Sequence, residues 1–179
     1  MCMELILIRH TSVDVPPGTC YGQTDVPLRP SFPEEAEAVC RQLAGYAPFD
    51  RVYTSSLSRC VRLAEYSGYA DAVRDARLLE LNFGAWEMQR YEEIRDPRLE
   101  AWYADYLHVP ATGGESFTDQ LYRVSAFLDE LRRKPYHRVA LFTHGGVIAC
   151  AQVYAGAVPL EKAFSGVPSY GGIVPILLR

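Results

Sequence analysis

Apolar and polar positions alternate along the chain on two periods. Leu5-Ile6-Leu7-Ile8 is a short unbroken apolar run, the form of a strand buried on both faces of a sheet. Ser31-Phe-Pro-Glu34 has the shape of a capping box, with Pro33 tolerated in a first helical turn. Behind it Ala36, Val39, Cys40 and Leu43 recur at helical spacing, and Gly45 is placed to end that helix. Arg51-Val52-Tyr53-Thr54 reads as a second strand, and Ser56 can cap a helix through Leu57, Val61 and Leu63-Ala64. Ala72-Val73 is a short strand candidate. Gly113-Gly114 breaks the chain before a helix with Leu121, Val124, Leu128 and Leu131 on one stripe. Arg138-Val-Ala-Leu-Phe-Thr143 is the best-defined strand, followed by His144-Gly-Gly and a helix from Val147 to Tyr154. Ile173 to Leu178 is expected as a last strand, and Pro175 marks it as an edge or a bulge.

Between Leu79 and Pro110 neither period holds. Phe83, Trp86, Tyr91, Trp102, Tyr103 and Tyr106 crowd this stretch. It is either an irregular excursion packed for burial or, in part, the wall of a pocket. Strands alternating with helices, with no long linker, repeat or low-complexity tract, predict one α/β domain spanning residues 1–179 with a largely parallel sheet.

Composition narrows the function classes. A chain of 179 residues can bury a core without staples. The net charge of −4, with no basic block, argues against a nucleic-acid footprint but leaves room for a small anion. The opening residues have neither the basic start nor the apolar length of a signal peptide. The weakly polar stretch from Gly145 to Leu160 is too short to span a bilayer, so no membrane association is expected. Cysteines at 2, 20, 40, 60 and 150, an odd number without a Cys-x-x-Cys pair, fit reduced thiols in a cytoplasmic protein. Cys40 and Cys150 read as small core residues.

The chemistry gathers at strand ends, where open α/β sheets bind ligands. Arg9-His10 follows the first strand, Ser55 to Arg59 the second, and Thr143-His144-Gly145-Gly146 the strand of residues 138–143. Arg59 in the first turn of a helix is disfavoured by the helix dipole unless an anion joins it, and a phosphate is the usual such anion. His108 and His137 lie in turn contexts and are read as non-catalytic. Phosphate loops of the Gly-x-x-x-x-Gly-Lys type, dinucleotide fingerprints, nucleophile elbows and paired metal-spaced histidines are absent from the sequence.

Leu-Ile-Leu-Ile-Arg9-His10-Thr11 resembles the signature of the histidine phosphatase (phosphoglycerate mutase-like) superfamily. The likeness continues in Tyr21-Gly22-Gln23-Thr24-Asp25-Val-Pro27-Leu28, Thr54-Ser55-Ser56-Leu57-Ser-Arg59 and Leu79-Glu80-Leu-Asn-Phe-Gly84-Ala-Trp86-Glu87. Gly113-Gly114-Glu115-Ser116 and Thr143-His144-Gly145-Gly146 complete the order. The resemblance implies a three-layer α/β/α fold and a phosphomonoester substrate. It implies His10 as nucleophile, Arg9, Arg59 and His144 as phosphate ligands, Glu80 as proton donor and acceptor, and no metal or organic cofactor. Tyr21, Gly22 and Gln23 are candidate substrate contacts. Where many members have Gly, then Glu or Gln, then Thr, and soon an Asn, this chain has Thr11, Ser12, Val13 and Asp14. Ser12 and Thr24 are candidate replacements for those phosphate contacts.

Thr11, the Gly-Gln-Thr-Asp-Val-Pro-Leu stretch and Phe-Gly-x-Trp-Glu followed by Tyr91-Glu-Glu-Ile94 are most similar to α-ribazole phosphatases, which act late in assembly of the cobalamin nucleotide loop. Two alternatives stay open: a phosphatase acting broadly on sugar phosphates or a phosphoprotein, and a non-catalytic phosphate binder of the same fold.

Overall fold

The computed structural model describes residues 2–179. Five strands form one sheet: β1 (Met3–Arg9), β2 (Arg51–Thr54), β3 (Val73–Arg74), β4 (Arg138–Thr143) and β5 (Ile173–Leu178), in the order β3-β2-β4-β1-β5. The pairs β1–β4, β2–β4 and β2–β3 are parallel, and β5 runs antiparallel to β1. Pro175 lies exposed on that outer strand, where a missing N–H is tolerated.

The period of two along β1 and β4 builds the layers. Leu5, Leu7, Val139 and Leu141 face α4 (Phe117–Leu131) and α5 (Gly145–Tyr154). Ile6, Ile8, Ala140 and Phe142 face α1 (Phe32–Leu43) and α2 (Ser58–Tyr66). The result is the expected α/β/α sandwich. The stretch with no period holds single 3-10 turns at Gly84–Trp86 and Tyr91–Glu93 and the short helix α3 (Arg98–Ala104). It packs as a satellite core around Cys20, Trp86, Ile94, Leu99 and Ala111.

Several local expectations give way to longer-range contacts. Ser31 makes no side-chain cap; its hydroxyl donates to Glu35 instead, at 2.7 Å, and Glu35 also accepts from the backbone N–H of Ser12. Ser56 does not cap α2. The helix starts one residue later, after extended Leu57, and its first N–H and the Ser58 hydroxyl both donate to Asp25 at 3.0 and 2.7 Å. A carboxylate from 33 residues upstream thus takes the dipole end that a local serine was expected to take. The third strand is shifted one residue, to Val73–Arg74. Cys40 is only partly buried, its thiol turned to the Ser67 hydroxyl, whereas Cys20, Cys60 and Cys150 are fully enclosed; all five cysteines are free. The capping box that does form is Ser116 with Asp119, at the start of α4. No helix among the described residues is long and apolar enough to cross a membrane.

Candidate active site

Register brings the three strand ends to one level. Arg9 stands opposite Thr143, and Thr54 opposite Phe142. The next residues continue the ladder: His10 N–H donates to the Thr143 carbonyl and Ser55 N–H to the Phe142 carbonyl. His10, His144 and Ser55 are therefore neighbours, with the two imidazoles edge to face at 5.2 Å.

His10 is 3% exposed. Its Nδ1 lies 2.7 Å from the Thr11 carbonyl. A carbonyl can only accept, so Nδ1 carries the proton and Nε2 keeps its lone pair. Burial, then the Arg59 charge and, more weakly, Arg9, pull the His10 pKa down to about 3, against the raising effect of the Thr11 bond. The ring is a neutral base with one nitrogen open. His144 is enclosed behind it, with Nε2 2.7 Å from the Ser55 hydroxyl, and burial followed by Arg59 holds it well below the usual histidine range.

Arg59, the second residue of α2, is 0% exposed. Its guanidinium donates to the carbonyls of Gly22 and Thr24, and Nε is buried without a partner. Arg9 donates to the Pro168 carbonyl at 2.7 Å, and its Nε is likewise unpaired. Neither arginine makes an ion pair among the described residues, although eight such pairs form elsewhere. One buried and one partly buried cation, neither with a counter-ion, favour the arrival of an anion.

Glu80, at the start of the aromatic stretch, lines the cavity with Arg9 and His10. Its Oε1 accepts from Leu81 N–H and Gln120 Nε2, at 2.9 and 3.0 Å, and its Oε2 accepts from Gly146 N–H at 3.1 Å. Arg123 steadies the same segment by donating to the Glu80 carbonyl while its fork grips Glu115. Glu115 in turn accepts from Asn82 N–H. The Gly-Gly-Glu-Ser stretch is therefore a brace for Glu80.

Arg9, His10, Tyr21 and Glu80 line one end of a cavity of about 410 Å³. Arg59 and His144 lie in the layer behind. Most of the remaining wall is aromatic, from Phe83, Tyr91, Trp102, Tyr106, Phe117 and Phe164, with Thr19, Leu81, Gln120 and Gly146 completing it. The middle segment thus does both things left open by its sequence, burying Trp86 while lining the cavity. Gly22 acts through its backbone, and Gln23 through its backbone and through its side-chain amide, which donates to the Glu80 carbonyl at 3.1 Å. Both backbone N–H groups donate to Glu87, and the Gly22 carbonyl holds Arg59. A Cβ on Gly22 would stand 1.8 Å from the Leu81 carbonyl oxygen, so only glycine fits. Ser12 and Thr24 are turned away, their hydroxyls donating to Glu35 and Glu87. His108 and His137 are exposed and do not line the cavity.

Missed in the sequence were Glu87, which accepts four hydrogen bonds from residues 22–24 and 83, and Gln120, the partner of Glu80. Glu87 followed a recognisable Gly-x-Trp, yet nothing local showed where its carboxylate would go.

Comparison with known proteins turns this geometry into a family. The model of the histidine phosphatase superfamily (branch 1) matches residues 5–175. The chain belongs to the histidine phosphatase superfamily. The adenosylcobalamin/alpha-ribazole phosphatase of Salmonella typhimurium is 30% identical over 155 residues, covering 82% of this chain and 76% of that protein. Phosphoserine phosphatase 1 of Hydrogenobacter thermophilus is 26% identical, covering 78% and 69%. Among solved structures, a putative alpha-ribazole-5′-P phosphatase from Escherichia coli superposes with a TM-score of 0.89 at 26% identity, covering 99% of this chain and 91% of that one. Alpha-ribazole phosphatases are thus among the proteins this chain is similar to, both in sequence and in structure.

Proposed function

We propose that this superfamily member is a phosphomonoester hydrolase that carries the phosphoryl group on His10 and releases an aromatic leaving group of the α-ribazole class. The observation that carries the reading is the open Nε2 of a neutral, buried His10 at an aromatic cavity, with two arginines that have no ion-pair partner among the described residues: Arg9 on the wall and Arg59 behind it.

In the first step Nε2 attacks phosphorus, the ester P–O bond breaks, and Glu80 gives its proton to the leaving oxygen. In the second, water attacks the phosphohistidine, the P–N bond breaks, and Glu80 takes the water's proton. Arg9, Arg59 and His144 hold the phosphoryl oxygens and neutralise charge spread over them at the transition state. No step runs through a metal or an organic cofactor.

The substrate preference follows from the lining. Among the described residues Arg9 is the one cation on the cavity wall, so a second anionic group, such as the carboxylate of 3-phosphoglycerate, finds no second cation there. An aromatic base finds ring faces on several sides. The similarity to alpha-ribazole phosphatases supports α-ribazole 5′-phosphate as that base's carrier, and a role in cobalamin nucleotide-loop assembly.

The test has two parts. A short pulse of labelled substrate should leave an acid-labile phosphoenzyme that His10→Ala lacks, with turnover lost; near-normal turnover in His10→Ala removes the covalent scheme. Separately, kcat/KM for α-ribazole 5′-phosphate should exceed that for p-nitrophenyl phosphate and 3-phosphoglycerate, unchanged by chelator. Parity between the first two esters removes the specific substrate.

A further inference from the structure

The segment Pro168–Gly172, just before β5, belongs to none of the motifs that mark the site, yet it is bound to Arg9-His10 along its length. Arg9 Nη1 donates to the Pro168 carbonyl, Arg9 N–H to the Gly172 carbonyl at 3.0 Å, and Gly171 N–H to the His10 carbonyl at 3.0 Å. Between these bonds sits Tyr170. Its ring lies 4.3 Å from Arg9 Cζ and 5.5 Å from the His10 ring. Its hydroxyl is 2.8 Å from that of Tyr21, and the Tyr21 ring lies 5.5 Å from Arg59 Cζ.

Each site arginine therefore packs on one tyrosine ring, and the two rings are tied through their hydroxyls. We propose that Tyr170 is a positioning residue of the phosphoryl site: with Tyr21 it forms a strap that holds Arg9 and Arg59 at the spacing one phosphoryl group requires. The physical need is plain. Two guanidinium groups without a counter-ion repel each other, and a ring face attracts a cation without neutralising it. The strap keeps the cations in place before the anion arrives, which is what preorganisation for charge demands. Tyr21, together with Thr19, lines both the aromatic cavity and a second hollow of about 350 Å³ walled by Pro16, Pro17 and Arg29, and Tyr170 lines the second.

The inference rests on Arg9 and Arg59 being the phosphate ligands, so both readings are tested together. The measurements are inhibition by inorganic phosphate, kcat and KM, and melting temperature, on the full chain. Arg9→Ala and Arg59→Ala should each weaken phosphate inhibition; if neither does, the arginine reading fails and the strap with it. Tyr170→Phe keeps the ring and removes the hydroxyl. It should weaken phosphate inhibition roughly fivefold to tenfold, the scale of one lost hydrogen bond, and raise KM with little change in melting temperature. Tyr21→Phe should do the same, and Tyr21→Phe/Tyr170→Phe should be no worse than the weaker single variant, since one shared bond is lost in all three. Preference between aromatic and glycerol esters should not move. Wild-type phosphate inhibition in Tyr170→Phe, or additive losses in the double variant, overturns the strap.

Discussion

Gly146 and Glu80 occupy adjoining space at the start of α5: the glycine N–H donates to Glu80 Oε2 at 3.1 Å, while a Cβ on Gly146 would stand 2.3 Å from Glu80 Oε1. The same Cβ would press on the Gln120 amide at 2.7 and 2.9 Å. The second glycine of Thr-His-Gly-Gly thus leaves room for the Glu80 carboxylate. Gly146→Ala should displace the carboxylate by a fraction of an ångström to an ångström and lower kcat by about 100-fold. Steady-state kinetics beside circular dichroism check this; a well-folded Gly146→Ala protein with normal kcat would show that Glu80's placement is not critical.

Buried neutral histidines make stability depend on pH. In the unfolded chain His10 takes a proton near pH 6.5, whereas in the fold its pKa is about 3. Below pH 6.5 the unfolded state therefore binds a proton that the native state does not, and stability falls as pH drops from 6.5 toward 3. His144 is shifted in the same direction and adds to the slope. Urea midpoints at pH 7 and pH 5 should fall further for the wild type than for His10→Gln. Equal falls would mean His10 is not held neutral.

Trp102 is the hub of the aromatic wall, its ring within 6.3 Å of the rings of Phe83, Trp86, Tyr91, Tyr103 and Tyr106. Replacing it with Ala should lower kcat/KM for an aromatic ester by roughly tenfold more than for glycerol phosphate. A uniform loss for both would assign Trp102 to packing alone.

Glu87 gathers Gly22 N–H, Gln23 N–H, the Thr24 hydroxyl and Phe83 N–H on one carboxylate, at 2.8 to 3.3 Å. That loop supplies the two carbonyls that hold Arg59. Glu87→Ala strands those donors and should cost roughly 3 kcal/mol of stability, with a higher KM because Arg59 loses its support. Chemical denaturation and kinetics on one preparation test both, and an unchanged KM would separate the loop from phosphate binding.

The strand-end chemistry was legible because apolar runs announce buried strands and an Arg-His pair directly after one is a local signal. Parallel register then did the rest, setting Arg9 beside Thr143. Two caps were misread: at α1 the Ser31 hydroxyl donates to Glu35 instead of capping, and at α2 a distant carboxylate, Asp25, takes the Ser58 N–H that Ser56 was expected to serve. Tyr170 was invisible for the same reason: its partner Tyr21 lies 149 positions away. The aromatic middle resisted assignment because one face of it packs Trp86 inward while another lines the cavity, and two burial demands on one stretch leave no period.

The unpaired Nε groups of Arg9 and Arg59 have one more consequence. With Arg9 and Arg59 as phosphate ligands, as proposed above, any small dianion that binds there would stabilise the fold. For a phosphatase that dianion is its own product. Resistance to heat and throttling of turnover then become two readings of a single binding constant, and the surrounding phosphate pool sets both.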